Sequence, residues 1–156
     1  MKLKKRKQIL DKKFFSNSVS LNIFDHIRNN DIKSIKRLIE AGDSGAVLDI
    51  KNSKGYTALA WAAAFNKTEI VKLLIDDGAN INIKNNFGST ALIHASFNDN
   101  IEMVELLIAS GANINIKNNQ GKIAIDYWRG DKRIFDLKNK KLKKREENLN
   151  KILKLI

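Results

Sequence analysis

Ile70, Val71, Leu73 and Leu74 recur at helical spacing and place one apolar stripe along a helix. Leu59, Ala62 and Ala63 do the same on a shorter helix just before it. The pattern then returns at a fixed distance. Leu73-Leu74-Ile75 maps onto Leu106-Leu107-Ile108, and Leu59 maps onto Leu92 and Ile125, each 33 residues further on. A constant period of this length predicts stacked helix pairs, each burying its apolar face against the next, rather than one closed globule. The small alanines on the first helix of each pair let the two helices pack closely.

The polar positions keep the same register. Gly55, Gly88 and Gly121 are 33 apart, as are Asn52, Asn85 and Asn118. Gly78 and Gly111 fall just past the second helix, where the chain needs a positive φ. Each Asn stands where a side-chain oxygen can bond the backbone two residues on and close a turn. Two full units follow, 52–84 and 85–117.

The residues that repeat, Gly55-Tyr-Thr57-Ala-Leu59-Ala-Trp61-Ala62-Ala63 followed by Val71-Lys-Leu73-Leu74 and Gly78-Ala79, return as Gly88-Ser-Thr90-Ala-Leu92-Ile-His94-Ala95, Val104-Glu-Leu106-Leu107 and Gly111-Ala112. In this the chain resembles the ankyrin-repeat family. The resemblance implies an all-α solenoid of paired antiparallel helices with short β-hairpin fingers. Residues 20–51 fit a degenerate entry repeat, with three residues inserted between Asp43 and Leu48. Residues 118–137 fit a degenerate capping repeat that keeps Gly121 and Ile125 but loses the second-helix motif. Atypical end units are expected of a stack that must present a polar face at each end. The chain departs from the family where its Pro is replaced by Ala58, Ala91 and Ala124, and its inter-repeat His by Ala60, Ile93 and Asp126. His94 lies one place further along, aligned with Trp61. Both sit among alanines on a short helix, which favours packing between repeats over a surface role.

Charge divides the chain differently. The formal net charge is +12, yet residues 20–130 hold twelve basic and twelve acidic groups, so the excess lies in the two ends. Residues 1–19 form a basic tail containing Lys4-Lys5-Arg6-Lys7. Residues 138–156 place Leu142, Leu149 and Ile156 seven apart, with Ile152 and Leu153 on the same stripe, which predicts a basic amphipathic helix. That helix can dock back on the last repeat, pair with another helix, or lie on an anionic membrane surface.

No catalytic constellation, cofactor motif or metal-ligand set appears. There is no cysteine, His26 and His94 are the two histidines, and the glycines mark repeat turns rather than a phosphate loop. No apolar run approaches a membrane span or a secretory leader. The expectation is a monomeric, non-enzymatic scaffold without a small-molecule substrate. It would be cytoplasmic, or alternatively nuclear through Lys4-Lys5-Arg6-Lys7 or delivered to another cell. The resemblance implies that an unknown protein partner binds the concave face formed by fingertips and first helices. Matching positions are Ser53, Lys54 and Tyr56; Asn86, Phe87 and Ser89; Asn119, Gln120 and Lys122; and the helix ends Ala64, Phe65, Phe97 and Asn98. Of these, Lys54, Tyr56, Phe65, Asn86, Phe87, Ser89, Phe97, Asn98, Gln120 and Lys122 are the leading contacts, with the aromatics as candidate anchors. The alternative function is attachment to a polyanion, nucleic acid or anionic membrane, through the basic tails.

Overall fold

A computed structural model of the protein describes residues 23–41 and 48–135. The basic tail of 1–19, most of the first finger's insertion and the C-terminal helix expected over 138–156 lie outside the described residues.

Helical residues 23–28 (α1) and Ile32–Ala41 (α2) form the entry pair. Ala58–Ala64 (α3) and Thr68–Asp76 (α4) form the second pair, and Ala91–Phe97 (α5) and Ile101–Ala109 (α6) the third. Two 3-10 turns, Ala124–Asp126 and Lys132–Phe135, close the described chain where a fourth pair would stand. Each first helix packs on its own second helix and on the first helix of the next unit: α3 lies against α4 and α5, and α5 against α6 and the first 3-10 turn. The apolar stripes meet in one continuous core. Ile23, Ile27, Ile35, Leu59, Ile70, Leu74, Leu92, Met103 and Leu107 are fully buried along it. Trp128, Ile134 and Phe135 cover its last layer, with the Trp128 and Phe135 rings 6.3 Å apart.

Local chemistry sets the boundaries of these helices. Thr57 Oγ1 accepts the N–H of Ala60 at the start of α3 (3.2 Å), and Asn100 Oδ1 accepts that of Met103 at the start of α6 (3.0 Å). The loops inside the helix pairs turn on Asn30, Asn66 and Asp99, all with φ between 52° and 57°. These are residue types that visit the left-handed region at low cost. Gly78 and Gly111 leave α4 and α6 with φ of 90° and 101°.

The fingers differ from the hairpins expected of them. Among the described residues the only strand-like pairing within a finger is one isolated antiparallel bridge, Lys51 with Thr57. The reason is where the N–H groups go. Asn52 Oδ1 takes those of Lys54 and Tyr56, Asn85 Oδ1 those of Phe87 and Ser89, and Asn118 Oδ1 those of Gln120 and Lys122, all at 2.9–3.1 Å. Each finger is thus a tight turn wound on an asparagine side chain and closed by two backbone bonds of its own, as from the N–H of Asn52 to the carbonyl of Tyr56 and from the N–H of Gly55 to the carbonyl of Asn52; the carbonyls of Lys54 and Phe87 are left to accept from the neighbouring finger.

Candidate functional site

Three polar ladders hold the repeats in register. On the fingers, the N–H of Asn86 donates to the carbonyl of Lys54 (3.1 Å) and that of Asn119 to Phe87 (3.0 Å). Their side-chain amides reach the carbonyls of Ser53 (3.2 Å) and Asn86 (3.0 Å). At the far ends of the first helices, Asn98 Nδ2 donates to the carbonyls of Ala63 (3.5 Å) and Ala64 (3.1 Å) and to Asn66 Oδ1 (3.3 Å), and Asn100 Nδ2 also reaches Asn66 Oδ1 (3.1 Å). Beyond the second helices, Asn82 Oδ1 accepts the N–H of Asn113 (2.8 Å). Asparagine therefore supplies the lateral bonding here. The close approach explains Gly55 and Gly88: a Cβ on either would stand within 2.2–2.4 Å of the Asn86 or Asn119 side-chain oxygen, besides needing a φ above 70°.

Behind the fingers runs a row of rings. Trp61 lies 6.1 Å from Phe24, 5.2 Å from Tyr56 and 4.8 Å from Phe65, and Tyr56 lies 5.1 Å from His94 of the next repeat. Trp61, His94 and Tyr127 occupy one repeat position, nine residues after the finger asparagine. His94 Nε2 faces Asn85 Nδ2 at 3.1 Å, and Tyr127 Oη accepts from Asn118 Nδ2 at 2.7 Å. Burial pushes the His94 imidazole down to about 4, which keeps it neutral. Burial likewise raises the Tyr56 hydroxyl, partly opposed by a hydrogen bond with Asn85. Trp61 and His94 thus pack between repeats, as their alanine setting suggests.

The leading contact residues separate into two groups. Phe65, Phe87 and Phe97 are 42%, 55% and 59% exposed, and Lys54, Asn86, Gln120 and Lys122 are exposed beside them on the fingers. The rest are drawn inward. Ser89 is buried, with its N–H bonded to Asn85 Oδ1, so it shapes the finger rather than its outer surface. Tyr56 is half-buried between Trp61 and His94, and the Asn98 amide is spent on the end of α3. Asn86 is exposed, but its amide is committed to Ser53. One exposed apolar residue escapes sequence reasoning: Ile101, at the start of α6, is 58% exposed. The period could have found it, since its counterpart 33 residues earlier is Thr68, a solvent-facing polar residue type. α5 has seven residues and so spans about 10 Å. Phe97 therefore sits about 10 Å from the finger base, at the other end of the first helix.

Among the described residues, no group of three or more His, Asp or Glu side chains is placed to hold a metal ion, and no helix is long and apolar enough to cross a membrane. A family model for ankyrin repeats, in three copies, matches residues 23–118. No curated protein matches the chain.

Proposed function

The chain belongs to the ankyrin-repeat family, and from that premise we propose that it is a non-enzymatic scaffold that captures a partner protein across its fingers and first helices. Repeats of this family are generally protein-interaction modules. The observation that supports this reading is the exposure of Phe65, Phe87 and Phe97 on a framework whose polar ladders hold it rigid. Covering the half of such a phenylalanine that is still exposed contributes about 1 kcal/mol, on a backbone that needs little reordering to bind.

The test uses the full chain, immobilised, and a Phe87→Ala/Phe97→Ala double variant. Neither ring is part of the buried core, so the variant should melt as the parent does while losing the proteins the parent retains. The same proteins retained by both would sink this reading. Tyr56, half-buried in the ring row, is a poor probe, because its removal disturbs packing as well as surface. A second reading, polyanion attachment, rests on the excess charge of residues 1–19 and 131–156. It predicts binding to anionic vesicles or DNA that fades steeply with salt.

A further inference from the structure

The repeat body is neutral in total, but its charges are sorted by face. Residues 50–66, 79–98 and 111–125 make up the fingers and first helices, and they contain Lys51, Lys54, Lys84, Lys117 and Lys122 with no carboxylate. All five lysines are exposed. The second helices with their flanking residues, 67–77 and 99–110, carry Glu69, Asp76, Asp77, Asp99, Glu102 and Glu105, all exposed, against Lys67 and Lys72. The acids that flank these segments in sequence are Asp49, at the entry to the first finger, and Asp126, whose carboxylate accepts the N–H of Ile123.

Sequence order alone does not produce a face; the ladders do. Asn86 bonded to Lys54, and Asn119 bonded to Phe87, stack the fingers at 52–56, 85–89 and 118–122 directly on one another. Lysines far apart in the chain are thereby brought along one edge. Lys51 Nζ reaches the carbonyl of Lys84 at 3.4 Å, which shows how near adjacent fingers stand. Phe87 projects from the middle of this row, and Phe97 stands at the far end of α5, across the first-helix face from it.

Resting on the protein-capture reading above, we infer that the partner segment is acidic: a stretch rich in Asp and Glu that also carries an apolar side chain to cover Phe87 or Phe97. Electrostatic complementarity of this kind steers encounter and excludes basic partners more than it adds affinity. A nucleic acid strand suits the surface less well. The five cations are all lysines, without the arginine fork that grips phosphate in two places. The finger amides of Asn86 and Asn119 are already bonded within the stack, so they are not free to read bases.

A display library of short random peptides, selected on the full chain at physiological salt, tests this. Three forms serve as bait: wild type, a finger variant with Lys51, Lys54, Lys84, Lys117 and Lys122 changed to Gln, and a charge-matched tail variant with Lys138, Lys140, Lys141, Lys143 and Lys144 changed to Gln. Circular dichroism and melting curves establish that all three fold alike. Peptides enriched on wild type and on the tail variant, but not on the finger variant, should be net acidic and contain an aromatic or aliphatic residue. Their binding should fall on the order of tenfold in the finger variant and less than about twofold in the tail variant. Neutral or basic peptides in that class, or no enriched peptides, would overturn the inference, as would a single-stranded oligonucleotide that binds more tightly than the peptides and needs the same lysines. The Phe87→Ala/Phe97→Ala variant separates the two levels of the argument. If it loses selected peptides that prove neutral, capture stands and the acidic class falls. If it and the finger variant both bind as wild type does, the capture face itself is wrong.

Discussion

Asn85 holds its own finger, residues 85–89, and His94 together with opposite ends of one amide. Its Oδ1 accepts the N–H groups of Phe87 and Ser89, both at 2.9 Å, which leaves Nδ2 facing His94 Nε2 at 3.1 Å. An amide nitrogen can only donate, so Nε2 must accept, and His94 is neutral with its proton on Nδ1. Protonating the ring would set two donors against each other at the base of the finger.

A pH dependence follows. An unfolded histidine titrates near 6.5, whereas burial holds His94 down to about 4. Between those values the unfolded chain takes up the proton and the folded chain does not. The contribution is complete above pH 6.5 and is lost as pH falls towards 4, on the order of 2 kcal/mol by about pH 4.5. His94→Gln keeps an acceptor for Asn85 without a titrating proton. Urea denaturation at neutral pH and at about pH 4.5 should show a marked fall for wild type and a small one for the variant. Parallel declines would mean that His94 is not the group responsible.

The finger glycines should not be equivalent. Gly55, Gly88 and Gly121 share φ of 73–76°, but an added Cβ meets the next finger at Gly55 and Gly88 and open space at Gly121. Gly121→Ala therefore bears only the left-handed backbone penalty, about 1–2 kcal/mol. Gly88→Ala must also displace Asn119 and its bonds to Phe87 and Asn86, and should cost at least about 1 kcal/mol more. Equal losses in chemical denaturation would show that finger stacking contributes nothing.

Much of the architecture could be read from the chain because its punctuation is local. Gly78 and Gly111 follow their helices, and Asn52, Asn85 and Asn118 bond the backbone two residues on, wherever the rest of the chain lies. The surface was less legible. Phe87 and Ser89 are two residues apart on one finger and bonded to the same asparagine oxygen, yet one is exposed and the other buried, while the equivalent Gln120 and Lys122 are both exposed, so the repeated turn does not announce which side chain is covered. Asn98 reaches back to α3 while its counterpart 33 residues earlier, Phe65, faces solvent, so this bond leaves no periodic trace. Charge was hidden in another way. The sum over 20–130 is zero, and the sorting of Lys and Asp/Glu appears only when helices and fingers are assigned to faces.

Asn98 caps a helix that is not its own. With its amide removed, as in Asn98→Ala, the carbonyls of Ala63 and Ala64 at the end of α3 lose their donor from the next repeat, a cost of about 1–2 kcal/mol. Asn98→Asp should be worse, since it sets a carboxylate against those carbonyls and Asn66 Oδ1. The difference between the two variants should also widen as pH rises through the carboxylate range. A denaturation series in which Asp and Ala behave alike at every pH would show that the lateral cap does not form.

Trp61 is the one member of the ring row whose polar atom is stranded. Its Nε1 is buried without a hydrogen-bond partner. The counterparts explain why: His94 and Tyr127 each offer an acceptor to the Nδ2 of their finger asparagine, whereas an indole offers Asn52 a second donor. Trp61→Tyr should supply that acceptor and relieve the orphan while keeping a ring among Phe24, Tyr56 and Phe65. The new bond, worth about 1 kcal/mol, then offsets much of the apolar area lost, and stability should stay within about 1 kcal/mol of wild type. Trp61→Ala removes the ring contacts outright and should cost about 3 kcal/mol. If the Tyr variant falls as far as the Ala variant in thermal or urea unfolding, the indole's packing alone sets this position and Asn52 gains nothing from an acceptor there.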